Sequence, residues 1–206
     1  AGCSLADAQQ GVRQAAALHA PSWHNPEILD LDCLQPSEQA AAQVRALYPQ
    51  AQAVFRERYS GVLEPEFMGL CEALAEGMAT QDKPLEKVRL VHGDFRLDNM
   101  LFDVKGGAEP IAVLDWQTLT IGNGLTDIGY FLGCGIGDTL RRAHERELLE
   151  LYCTEMTARG VPLTVDEIWR DYVLGALHGV STAVFSAAFV VRTERGDANF
   201  LSMARG

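Results

Sequence analysis

Apolar residues recur at three- and four-residue steps over both ends of the chain, and that spacing predicts helices. Ser4 and Asp7 have capping-box spacing ahead of Val12, Ala15, Ala16 and His19, and Pro21 is expected to close this first helix. A second helix is expected from about Pro36 to Ser60, with Val44, Leu47, Tyr48, Ala51 and Phe55 on one face and a break or bend at Pro49. Phe67, Leu70, Cys71, Leu74 and Met78 mark a third, ended by the loop Gln81-Asp82-Lys83-Pro84. Later helices are predicted at about 126–133, at 144–158 before Gly160 and Pro162, and after the Thr164/Glu167 capping pair. Tyr172 to Val191 contains no charged residue and is long enough to span a bilayer, yet His178, Ser181, Thr182, Ser186 and two glycines, with flanks of mixed sign, favour a buried helix or two.

The middle of the chain follows another pattern. Val88–Val91, Met100–Phe102 and Ile111–Leu114 are short apolar runs, and Asp103-Val104-Lys105-Gly106-Gly107 supplies turn residues between the last two. A β-hairpin over about 100–115 is the simplest outcome. It would put Asn99 and Asp115 at its open end on adjacent strands, roughly 5 Å apart. The predicted class is therefore α+β and mostly helical.

Composition narrows the function. The 206 residues, 48% of them hydrophobic, can bury roughly 70% of the unfolded surface, so neither metal nor disulfide is needed for a core. Five scattered cysteines without a Cys-x-x-Cys point to a reducing, cytoplasmic setting. Seventeen Lys and Arg against 28 Asp and Glu give a net charge of −11, and Arg141-Arg142 is the one basic pair, so neither nucleic acid nor an anionic membrane is an expected partner. Oligomeric state is left open.

Chemistry concentrates in His92-Gly93-Asp94-Phe95-Arg96-Leu97-Asp98-Asn99, a loop between the first short strand and the hairpin, and in Asp115 just after it. Asn99 and Asp115 offer hard oxygen ligands, too few to cage an ion but enough for Mg²⁺ that takes the rest of its shell from water and phosphates. Asp94 is then free to accept a proton from an attacking hydroxyl. His92 is expected to orient the loop, and Asp127, at the front of an apolar helix, to cap that helix. The other histidines show no metal spacing.

His-Gly-Asp-x-x-x-x-Asn, with Asp115-Trp116-Gln117 sixteen residues on, resembles the catalytic and metal-binding segments of the aminoglycoside phosphotransferase and choline-kinase-like family, which shares the protein-kinase fold. The wording His92–Phe102 with Ile111–Trp116 is similar to the phosphotransferase domains associated with acyl-CoA dehydrogenases, and Gly124–Gly133 to the ecdysteroid-kinase-like branch. The resemblance implies ATP and Mg²⁺ as cofactors and a small-molecule hydroxyl as substrate. It makes Asp94 the base, Arg96 a γ-phosphate contact, Asn99 and Asp115 the metal ligands, and Leu101 and Leu114 the walls of the adenine pocket. It also implies that Asp127 braces the loop from below. Nothing before His92 supplies the family's Gly-rich loop or strand Lys, so residues 1–206 are expected to be a C-terminal lobe whose N-lobe is absent from this chain. Its parts would be a catalytic loop at 92–99, a metal-binding segment at 115–117 and a helical subdomain at 126–206. Two functions stay open: a small-molecule kinase, and a catalytically silent binding or regulatory fragment of the same fold.

Overall fold

The computed structural model describes residues 2–80 and 89–206, and their side chains except those of 78–80. The loop expected at 81–84 and the start of the strand at Val88 lie outside the described residues. The elements, in chain order, are α1 (Leu5–Ser22), α2 (Pro26–Leu29), α3 (Glu38–Tyr59), α4 (Pro65–Thr80), β1 (Arg89–Val91), β2 (Met100–Asp103), the single turn α5 (Val104–Gly107), β3 (Glu109–Val113), β4 (Thr120–Gly122), α6 (Leu125–Tyr130), α7 (Asp138–Ala158), α8 (Val165–Phe189) and α9 (Glu194–Arg205). The chain divides into two units, one of Ala1–Pro36 with Leu85–Ala176, the other of Ser37–Pro84 with Leu177–Gly206.

The first unit is built on α1 and α7. Ser4 caps α1 as expected, its hydroxyl accepting from the Asp7 amide while the Asp7 carboxylate answers the Ser4 amide. Pro21 does not close the helix; it is accommodated in the last turn, which runs to Ser22. Ala8, Val12, Ala15 and Ala16 are fully buried with Leu148, Leu149, Tyr152 and Met156 of α7, and small side chains on α1 let the larger ones of α7 approach. At Gly11 even one carbon would meet the Phe131 ring at 2.5 Å. α7 begins at Asp138, six residues before the expected start. It ends as predicted, with Gly160 left-handed at φ +88° and the Val161 amide donating back to Met156.

Two antiparallel strand pairs complete this unit. β2 and β3 form the predicted hairpin in the register Met100↔Val113, Leu101↔Ala112, Phe102↔Ile111. Met100 and Ile111 are buried, so alternation turns Asn99, Leu101, Ala112 and Leu114 to the other face. β1 pairs with β4, a three-residue strand for which no expectation was set. α6 packs on α8 at backbone distance: a carbon added at Gly129 would lie 2.3 Å from the Ala176 nitrogen, and one at Gly175 only 2.1 Å from the Leu125 carbonyl.

The second unit packs α3, α4, α9 and the later part of α8. α3 runs unbroken through Pro49 and buries Tyr48, Ala51, Gln52, Phe55 and Tyr59, while Leu47 faces out. On α4 the buried residues are Met68 and Cys71, and Leu70 is exposed, so the inward face is rotated from the one expected. α8 is a single helix, apolar and long enough to cross a membrane by length and composition. Tyr172, Val180, Ala183, Val184 and Ala187 are buried whereas Val173, Leu174 and Phe189 are exposed, so the segment is half-buried instead of enclosed all round. All five cysteines are free.

Candidate active site

The loop that follows β1 is pinned from below, beside and above. Below it, the buried Asp127 carboxylate accepts the backbone amides of His92 at 2.7 Å and Gly93 at 2.9 Å. Asp127 is therefore a brace and not a cap; the N-cap of α6 is Gly124, and the Asn123 side-chain oxygen just before it accepts the Leu125 amide. Beside the loop, Thr118 donates its hydroxyl to the His92 carbonyl at 2.7 Å. Gly93 sits at φ +84°, where a side-chain carbon would come within 2.9 Å of the Thr118 carbonyl, so both the conformation and the space call for glycine.

His92 is fully buried and fixes two further points. Its Nε2 donates to the Leu114 carbonyl at 2.9 Å, and its Nδ1 accepts the Asp94 amide at 3.3 Å, an arrangement that needs the neutral ring with its proton on Nε2. The ring lies 4.8 Å from that of Trp116, which in turn donates its indole N–H to the Val113 carbonyl. The orienting role expected of His92 is the one its contacts describe.

Asp94 and Asn99 are brought into direct contact. The Asn99 amide nitrogen donates to the Asp94 carboxylate at 2.8 Å and to the Asp94 carbonyl at 2.9 Å. The Asn99 carbonyl accepts the Leu114 amide at 2.8 Å, which continues the hairpin ladder by one rung. The residue opposite Asn99 is thus Leu114, and Asp115 comes one position later, not directly across as the sequence suggested. Asp115 is exposed and left-handed at φ +61°, ψ +63°, a conformation that turns the chain sharply out of β3. Among the described residues nothing hydrogen-bonds its carboxylate, and no cluster of three or more His, Cys, Asp or Glu could hold an ion.

Arg96 lies 3.9 Å from Asp94, pairs closely with Asp98 and donates to the Tyr130 hydroxyl at 3.4 Å. Burial works against its charge, but Tyr130 together with Asp98 and Asp94 outweighs this and holds the guanidinium above its ordinary range. Burial also pushes the Tyr130 phenol up to about 12. Leu101 and Leu114 share the outward face of the hairpin with Asn99; they are 50% and 42% exposed, and Trp116 is 45% exposed just beyond them. An apolar surface beside polar groups that converge on one loop suits a ligand with a flat apolar end and a charged end. Tyr130 and Thr118 were not foreseen, since a single Tyr or Thr in a sequence carries no spacing signal.

The model of the phosphotransferase enzyme family matches residues 1–160. The chain belongs to that family. Among curated proteins it is 30% identical over 140 residues to acyl-CoA dehydrogenase family member 11 of Gallus gallus, covering 59% of this chain and 17% of the relative. It is 36% identical over 94 residues to acyl-CoA dehydrogenase family member 10 of Mus musculus, covering 43% of this chain and 8% of the relative. Against acyl-CoA dehydrogenase family member 11 of Homo sapiens it is 42% identical over 67 residues, covering 32% and 8%. The chain spans less than a fifth of the length of each of these relatives. No solved structure matches it.

Proposed function

We propose that this chain is the C-terminal lobe of an ATP- and Mg²⁺-dependent kinase that phosphorylates a hydroxyl of a small molecule. The observation that carries the reading is the commitment of the Asn99 amide nitrogen to Asp94. It turns one side chain into two tools, because the nitrogen fixes the carboxylate while the Asn99 oxygen has no protein donor among the described residues. With the unengaged carboxylate of Asp115, it makes a neutral-plus-anionic oxygen pair, which is the donor set a Mg²⁺–nucleotide complex accepts. The residues present fit the group.

In this reading Asn99 and Asp115 hold Mg²⁺, which supplies neutralisation of phosphate charge when bound. Asp94 accepts the proton of the substrate hydroxyl as that oxygen attacks the γ-phosphate. Arg96, tethered by Tyr130 and Asp98, presents its remaining N–H groups to the phosphate. Leu101 would lie under the adenine, and Leu114 would line the same pocket. Asp127, His92 and Thr118 keep the loop in place, so that little reorganisation is needed at the moment of transfer.

The test is phosphoryl transfer from ATP to a panel of small-molecule alcohols, with this chain and with a longer native form that carries whatever is encoded upstream of it. Mg²⁺-dependent transfer that is lost in Asp94→Asn supports the reading. ATP binding without transfer to any acceptor, together with an Asp94→Asn variant indistinguishable from wild type, would point to the silent fragment instead.

A further inference from the structure

A buried polar row runs beneath the His92–Asn99 loop, and apart from Asp127 it is not used by the mechanism above. Asp127 on α6 is 1% exposed, His19 on α1 and Tyr152 on α7 are fully buried, and Arg89 on β1 is 3% exposed. His19 Nε2 lies 3.2 Å from the Asp127 carboxylate, His19 Nδ1 lies 3.0 Å from the Tyr152 hydroxyl, and the Arg89 guanidinium donates to that hydroxyl at 3.4 Å. Four elements each contribute one member.

The donor and acceptor inventory leaves one direction for this row. A guanidinium can only donate, so the Tyr152 oxygen accepts from Arg89; a carboxylate accepts, so the His19 nitrogen facing Asp127 carries the ring proton and, in a neutral ring, the other nitrogen takes the Tyr152 hydrogen. His19 Nδ1 therefore accepts, and the ring proton sits on Nε2, where it is given to Asp127. Burial lowers the His19 pKa, which keeps the ring neutral and makes its contact with Asp127 a hydrogen bond, not an ion pair. One cation and one anion, both out of water, are thus joined through two neutral groups. The Arg89 guanidinium also lies over the Trp23 ring, 3.6 Å from its centre, which holds it in place without adding charge.

We infer that Arg89 and Tyr152 are positioning residues for the loop: acting through His19, they supply the positive end of a one-way hydrogen-bond chain whose negative end is the carboxylate that grips the His92 and Gly93 amides. The Asp127 carboxylate accepts two backbone amides at 2.7 and 2.9 Å, and a cation that polarises the row from its far end strengthens these hydrogen bonds. The part of this that concerns turnover rests on the kinase reading; the electrostatic support of the loop does not.

The experiment compares Tyr152→Phe, Arg89→Met and Arg89→Lys with wild type by amide hydrogen exchange and by steady-state kinetics. Tyr152→Phe, which keeps the ring, and Arg89→Met are expected to speed exchange at the His92 and Gly93 amides by about tenfold relative to amides of the β2–β3 ladder. In the same variants kcat is expected to fall about tenfold with the KM for ATP within about twofold. Arg89→Lys, which keeps the charge, is expected to lie within about threefold of wild type in both. Exchange that rises equally at all amides, or that stays unchanged at 92 and 93, overturns the inference, as does a Lys variant no better than Met. If exchange behaves as expected but no protein in the series, wild type included, transfers phosphate, the positioning stands and the kinase reading falls.

Discussion

Asn99 holds Asp94 twice, at the carboxylate and at the carbonyl, with one amide nitrogen. The spacing of five residues between them is what allows it: the single 3-10 turn at Leu97–Asn99 brings the Asn side chain back over the start of the loop. In the kinase reading proposed above, a base and a metal ligand linked in this way cannot be altered independently, so the expected effects of substitution divide in a particular manner.

At the metal pair, Asp115→Ala is expected to abolish turnover, since it removes an anionic ligand from a hard cation. Asn99→Ala removes a neutral oxygen and also loosens Asp94; it should leave a trace of activity that added Mg²⁺ partly restores. Rates measured across a Mg²⁺ titration distinguish the two variants.

Asp94→Asn should lower kcat by about 10²–10⁴-fold and leave the ATP dissociation constant nearly unchanged. The new amide still offers an oxygen to Asn99, so the melting temperature should move by no more than a few degrees. Turnover, nucleotide binding and melting measured on one preparation check all three.

Removing the brace is a different matter. Asp127→Ala strands the His92 and Gly93 amides and the His19 N–H in the interior, at a cost of about 1–3 kcal/mol for each donor left unsatisfied. Urea unfolding should show a loss of at least about 3 kcal/mol, with Asp127→Asn in between because its amide oxygen can still accept.

His19 gives the stability a pH dependence of known sign. Its folded pKa lies below the unfolded value of 6.5 because burial disfavours the charged ring, so the unfolded chain takes up the proton first. The His19 contribution is present above pH 6.5 and is lost as the pH falls below it, with a slope of up to about 1.4 kcal/mol per pH unit. Unfolding curves between pH 7.5 and about 5 should show this slope diminished in His19→Gln.

Leu101→Ala and Leu114→Ala should raise the KM for ATP several-fold with little effect on melting, since both side chains are about half exposed. A large change in melting with unchanged KM would make them core residues instead.

Much of this was legible in the chain, for identifiable reasons. The hairpin followed from two short apolar runs with turn residues between them, and the caps at Ser4, Thr164 and Gly160 from local chemistry that needs no tertiary partner. The loop residues stood out because several chemically distinct side chains share a fixed spacing. What stayed hidden depends on partners distant in sequence. β4 is too short to show a period and becomes a strand only against β1. The roles of Tyr130, Thr118 and Tyr152 rest on hydrogen bonds across 26 to 133 residues. Leu47 and Leu70 fit a helical stripe yet face outward, because periodicity gives a face only to within about one residue's turn.

The crossing at Gly129 and Gly175 sets how sequence change can be tolerated around the loop. Asp127 lies two residues from Gly129, so the brace takes its position from a contact between backbones, which has no rotamers to adjust. Leu148, Leu149 and Met156 can trade volume with their neighbours as the domain diverges, because side chains absorb such trades. A methyl group at either glycine has nowhere to go except into the path of α6. The α1–α7 core can therefore trade side chains while the loop geometry depends on these two positions and on Gly93, none of which carries a side chain.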